Sequence, residues 1–212
     1  MIIRNLNEKQ AELLKKKWSK FEAIASSEQR IHLIADDIGT HYDKFYKGTG
    51  FKAMLATNSK FDAIRYQEAF EEYHPNIKTA VVMSAPDLRE GNDEVDEDPK
   101  DRVIKFWNKL MKDYNNDPLA YEESIKNEFV EGEDVEILIV VDKLLTGFDA
   151  PRASVLYVDK PLKDHTLLQA IARVNRLYDG KDYGLIIDYR GLIVELDTAL
   201  KTYSGAGLEN FD

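Results

Sequence analysis

The stretch EILIVVDKLLTGFDAPRASVLYVDK, from Glu136 to Lys160, decides the fold. It opens and closes on apolar runs, Ile137 to Val141 and Ala153 to Val158, with little polar alternation. A strand wetted on one face alternates polar with apolar residues, whereas a strand without alternation is covered on both faces, as in a parallel sheet between helices. Working outward, runs of the same kind recur in FKAMLAT (51–57), KTAVVMSA (78–85) and YGLIIDYR (183–190). The text between the runs has helical period: FDAIRYQEAFEEY (61–73), DPKDRVIKFWNKLMKDY (98–114), DPLAYEESIKNEF (117–129) and DHTLLQAIARVNRLY (164–178). Strand alternating with helix predicts crossover units, and so an open α/β domain with a mostly parallel sheet flanked by helices.

Upstream of the first strand run, Leu13, Leu14, Phe21 and Ile24, then Ile31, Ile34, Ile38 and Tyr42, stand at helical spacing, with a break expected near Ser26 and Ser27. The predicted organisation is a helical lead-in over 1–46 and the sheet domain over 47–212, with no internal repeat. The stretch DLREGNDEVDEDPKD (87–101) holds eight acids against two bases and supplies −6 of the net charge of −10. It reads as a solvated, mobile loop. The overall charge argues against a chain that coats nucleic acid by bulk electrostatics, but a local basic face elsewhere is compatible with it. No apolar run approaches the roughly 20 residues of a membrane span. The start, MIIRNLNEKQAELLKKKW, turns charged before a signal-peptide core forms. With zero cysteines, disulfides and thiolate metal sites are excluded, and the expectation is a cytoplasmic protein with no membrane contact.

Open parallel sheets often bind nucleotides, yet the sequence holds no G-x-x-x-x-G-K-[ST] loop. The piece Gly48-Thr49-Gly50 lacks a third glycine and precedes a strand rather than following one. By itself the chain has neither standard device for gripping a triphosphate. His32, His41, His74 and His165 are scattered without metal-ligand spacing, and no metal ligand is assigned. Pro86-Asp87 followed by Asp98-Pro99-Lys100 has the residue types of a Mg²⁺-dependent nuclease. That chemistry needs a rigid strand under its second half, and a loop composition with an internal proline does not supply one.

Three places remain where phosphate chemistry fits. The loop after the Ile137 run carries Thr146, Gly147 and Asp149 at the carboxyl end of a parallel strand, where open α/β sheets bind ligands. Gly147 allows close backbone approach, Thr146 can bond a phosphate oxygen, and Asp149 can accept from a ribose hydroxyl or fix an arginine; an ordinary turn uses the same residues. Ser59 and Lys60 open a helix, where a hydroxyl, a lysine and the helix dipole suit a nucleic-acid phosphate, although helix capping alone also explains the serine. In LLQAIARVNRLY (167–178), read as one helix at roughly 100° per residue, Gln169, Arg173 and Arg176 share a face opposite Leu167, Ile171, Val174 and Tyr178. Most arginines on such a surface are merely solvated.

Taken in order, these pieces resemble motifs IV, V and VI of superfamily 2 helicases and translocases, which lie in the second of two RecA-like lobes. Gln169, Ala172, Arg173 and Arg176 match the motif VI form Q-x-x-G-R-x-x-R, with alanine in place of glycine. The variants LLTGFDAP and LLQAIARVNR look most like the motor subunit of type I restriction enzymes. The resemblance implies a RecA-like lobe of the P-loop NTPase type, ATP and Mg²⁺ as cofactors held mainly by a first lobe, and double-stranded DNA as the translocated partner. By the same resemblance Arg176 is an arginine finger, Arg173 its partner and Gln169 a sensor of nucleotide state. Gly147 and Asp149 then join the ATP cleft to the DNA contacts, which fall to Thr146, Ser59 and Lys60. The implied parent is an ATP-dependent type I site-specific deoxyribonuclease, its other partners being the first lobe and nuclease domain of the same chain and the methyltransferase and specificity subunits. The 212-residue piece alone is expected to be inactive. The second lobe of another superfamily 2 DNA or RNA helicase uses the same motifs, and a non-enzymatic α/β protein-interaction domain remains open as a reading of another class.

Overall fold

A computed structural model of the chain describes residues 28–86, 99–145, 148–162 and 164–191. Helix α1 (Glu28–Phe45) leads into strand β1 (Lys52–Thr57), followed by α2 (Lys60–Tyr73), β2 (Thr79–Val82), α3 (Pro99–Met111) and a short 3₁₀ turn. Then come α4 (Pro118–Val130), β3 (Ile137–Val140), β4 (Ala153–Asp159), α5 (Asp164–Val174) and β5 (Leu185–Asp188). The strands lie in the order β2-β3-β1-β4-β5 and every pairing is parallel, so the expected mostly parallel sheet is parallel throughout.

The strand readings rest on covered faces, and the burial agrees: all residues of β1, β3 and β4 are buried. Helix starts are chemically marked. Asp117 caps α4 by accepting from the amides of Leu119 and Ala120 with Pro118 in the first turn, and Ser59 caps α2 by accepting from the Asp62 amide. The expected helical lead-in divides. Its first half lies outside the described residues, and its second half is α1, whose Ile31, Ile34, Ile38 and Tyr42 are buried in the same core as the sheet. The expected acidic loop, including Asp87 and Asp98, also lies outside the described residues up to residue 98. Pro99 and Lys100 open α3 rather than a strand, so the support that the nuclease pattern would need is absent there.

The connections from β1 through α2 to β2 and from β4 through α5 to β5 run in opposite directions along the sheet. Right-handed crossovers therefore put α2 and α5 on opposite faces. Phe148, in the β3–β4 connection, packs its ring 6.1 Å from Phe129 of α4, and its carbonyl accepts from Arg173 of α5. This groups α4, that connection and α5 on one face, leaving α1 and α2 on the other.

Candidate functional site

The β3–β4 connection leaves the carboxyl end of β3 and must reach the amino end of β4, passing over β1 without a helix. Thr146 and Gly147 fall outside the described residues. Leu144 takes a left-handed conformation (φ 67°), and it and Leu145 are buried, so packing holds a backbone turn that a leucine adopts at a cost of about 1–2 kcal/mol. Asp149 lies near the far end of this segment, four residues before the β4 pairing starts at Ala153, and is exposed. The loop expected at the carboxyl edge thus delivers its aspartate toward the amino edge.

Helix α5 runs back over the sheet and brings Arg173 to the same end. One correction concerns its length. The helix expected through Tyr178 stops at Val174, the last helical-type bond running from the Asn175 amide to the Ile171 carbonyl. The cause is crowding. A Cβ on Gly184 would stand 2.2 Å from the Val174 carbonyl oxygen, so the backbone entering β5 lies directly against the helix end. The chain turns at Tyr178–Lys181, with the Tyr178 ring edge-on to Phe51 at 6.4 Å. Lys181 donates to the carbonyls of Pro151 and Ala153, and burial lowers its pKa to about 8. Arg176 therefore reaches the site from the segment after the helix, not from the helical face shared by Gln169 and Arg173. Gln169 is exposed, one turn before Arg173, while Ala170 and Val174 are buried beneath.

The two arginines are held differently. Arg173 is half-buried and donates from Nη1 to the Phe148 carbonyl at 2.9 Å. Arg176 keeps 49% side-chain exposure, with Nε 3.6 Å from an Asp149 carboxylate oxygen that is itself 67% exposed. Asp149, Arg173 and Arg176 thus come together, and neither arginine is buried in a salt bridge.

Ser59 and Lys60 stand at the opposite, carboxyl edge, directly after β1. Ser59 is the cap described above, and Lys60 donates to the Ala85 carbonyl at 2.6 Å. The same edge holds a cluster that sequence reading missed. Asp159, at the end of β4, accepts from Arg30 of α1 through both its oxygens at 2.7 and 2.9 Å, from Arg190 at 2.7 Å and from the Tyr66 hydroxyl at 2.6 Å. The partners come from residues 129, 93 and 31 positions away. The one local signal was an acid closing a mostly apolar strand. Of the histidines, His41 bonds the Tyr157 hydroxyl, His74 pairs with Asp36 and His32 meets Tyr73; the side chain of His165 is outside the described set. Among the described residues no helix is long and apolar enough to cross a membrane.

An open parallel α/β domain with this motif order has a known counterpart, and residues 49–191 match the family model for domain 3 of the type I restriction enzyme subunit R. The chain belongs to that family. It is 36% identical over 198 residues to the MjaVIIP endonuclease subunit of Methanocaldococcus jannaschii, a match covering 90% of this chain and 18% of the relative. To the type I restriction enzyme HindI endonuclease subunit of Haemophilus influenzae it is 31% identical over 198 residues, covering 87% of this chain and 17% of the relative. The chain therefore spans less than a fifth of the length of these curated relatives. Among solved structures it is similar to the ATP-dependent Type ISP restriction-modification enzyme LlaBIII bound to DNA, with TM-score 0.44 and 17% identity over 73% of this chain and 9% of that one.

Proposed function

We propose that this chain is the second RecA-like lobe of an ATP-driven translocase that pumps double-stranded DNA within a type I restriction enzyme, and that Arg176 is its contact to the triphosphate. The observation that carries this reading is the pairing of Arg176 with Asp149. Both groups are more than two-fifths exposed and meet at 3.6 Å. A loose surface ion pair is worth little, about 0–1 kcal/mol, so the guanidinium exchanges readily onto a stronger anion. Its planar fork fits two phosphate oxygens, and it carries charge to where charge grows during phosphoryl transfer. The freed Asp149 is then available to accept from a ribose hydroxyl.

The residues present fit one side of a nucleotide. Because the sequence contains no phosphate loop, the triphosphate and its Mg²⁺ are assigned to a first lobe elsewhere in the parent. When bound, Mg·ATP supplies the transferable phosphoryl group; this lobe orients it and answers its charge. Gln169, exposed a turn before Arg173, faces the same side and is assigned to sensing the nucleotide. Ser59 and Lys60 at the carboxyl edge are assigned to the DNA backbone, at the end of the sheet away from Arg176; Thr146 is assigned to the same partner. The assembly with methyltransferase and specificity subunits belongs to the same proposal.

The test is Arg176→Ala in a full-length R subunit carrying this sequence. DNA-stimulated ATP hydrolysis is expected to fall by about 10³ to 10⁵, the usual worth of an arginine finger, with nucleotide binding weakened far less and Arg176→Lys rescuing poorly. Translocation at near the wild-type rate in Arg176→Ala returns this arginine to an ordinary solvated surface. Strand separation of a short duplex by the wild-type subunit points instead to an unwinding helicase.

A further inference from the structure

We infer that Arg173 is a positioning residue rather than a second phosphate ligand: it clamps the Phe148–Ala150 segment onto α5 and so fixes Asp149 beside Arg176. The inference rests on the nucleotide reading of Arg176 but is tested partly without nucleotide. Resemblance puts both arginines at the nucleotide; their surroundings differ. The Nη1 of Arg173 is committed to the Phe148 carbonyl at 2.9 Å. Its Nε is sealed from solvent with no hydrogen-bond partner among the described residues. A guanidinium whose Nε is dry and whose Nη1 holds a backbone carbonyl cannot swing away onto a ligand without stranding that carbonyl.

The carbonyl it holds is itself rigidly set. Phe148 is only 8% exposed, wedged against Phe129 of α4, and Ala150 is fully buried two residues on. Between these two anchors the backbone has no freedom to reposition Asp149 unless Phe148 lets go of α5. Arg173 is the side chain that prevents this. Loop and helix then move as one body, and Arg176, on the segment leaving α5, keeps its register with the carboxylate it must release. One hydrogen bond from one donor does this, which sets a distinctive expectation: lysine can replace arginine at 173, because a single ammonium donor reaches one carbonyl, but not at 176, where a fork is needed.

The experiment has two readouts. In the 212-residue chain, hydrogen exchange of the amides of Phe148, Asp149, Ala150, Arg152 and Ala153 is compared among wild type, Arg173→Gln, Arg173→Lys and Arg176→Gln. Losing a charge-assisted hydrogen bond predicts exchange about tenfold faster in Arg173→Gln, with little change in Arg173→Lys and none in Arg176→Gln. In the full-length subunit, Arg173→Lys is expected to keep the ATPase kcat within about threefold while Arg173→Gln lowers kcat with KM for ATP nearly unchanged, the signature of misplacement rather than lost ground-state binding. Unchanged exchange in Arg173→Gln overturns the clamp. So does a raised KM in both 173 variants, which would make Arg173 a direct phosphate ligand. If exchange responds as expected but Arg176→Ala leaves the ATPase intact, the clamp stands and the nucleotide reading alone has failed.

Discussion

Two pairs of arginines sit at the two ends of this sheet, and they are held by different kinds of partner. At the carboxyl edge Arg30 and Arg190 converge on Asp159, whose side chain is 3% exposed, and Tyr66 completes its hydrogen bonds. At the other end Arg173 holds a carbonyl and Arg176 only a wet carboxylate. In the first pair both guanidinium groups donate to one buried carboxylate, and the cluster ties α1, α2, β4 and the end of β5 together. In the second the fold fixes one arginine and leaves the other in water. Residue type and local pattern do not distinguish the pairs; the polarity and exposure of the partner do.

The widest gap is expected in stability. Replacing Asp159 by Asn removes the counter-charge from two largely buried guanidinium groups, and breaking a buried ion pair in this way costs about 3–5 kcal/mol. Urea unfolding of the chain at neutral pH should show this loss, whereas Asp149→Asn at the other end should shift stability by no more than about 0.5 kcal/mol. Comparable effects at the two aspartates would break the contrast and mean that the Arg176 pair is structural as well.

The sheet was legible because its signal is local: each of the five strands lies in a short, mostly apolar run, and alternation with helical text implied parallel pairing. The Asp159 cluster was not legible, because Arg30, Tyr66 and Arg190 are brought together by tertiary folding across intervals of 31 to 129 residues. In the candidate site, motif order singled out Asp149, Arg173 and Arg176, which the fold brings together, but gave no sign of the different surroundings of the two arginines. Periodicity carried the helix through Tyr178, since Arg173 and Arg176 suit a helical face. The contact that ends it at Val174 comes from Gly184, ten residues later, and no helical pattern contains that information.

Gly184 therefore sharpens the comparison at the next level of effect. An alanine there places a methyl carbon 2.2 Å from the Val174 carbonyl oxygen, a backbone atom that cannot rotate away. Forcing such a contact typically costs about 1–3 kcal/mol, and here the strain must move either the α5 terminus or the entry to β5. A fall in urea-unfolding stability of at least about 1 kcal/mol is expected, together with a lower DNA-stimulated ATPase in the full-length subunit because Arg176 hangs from the displaced segment. A neutral Gly184→Ala would show that the helix end yields freely and that Arg176 is not held in register by it.

The smallest effect decides what Ser59 does at the carboxyl edge. Its hydroxyl accepts from the Asp62 amide at 3.0 Å, and this cap alone accounts for the residue. Ser59→Ala should lower stability by about 1 kcal/mol whichever role is right, so it cannot separate capping from DNA contact. Ser59→Asp can. A carboxylate caps as well as a hydroxyl and favours the positive end of the α2 dipole, so the folded chain should unfold at the same urea concentration as wild type. A DNA phosphate at the same helix end would instead meet a like charge. If Ser59 also contacts the backbone, Ser59→Asp raises the DNA concentration needed for half-maximal ATPase stimulation, most strongly at low salt where phosphate contacts weigh most. An unchanged DNA requirement in a variant of unchanged stability removes Ser59 from the DNA interface and leaves it as the cap of α2.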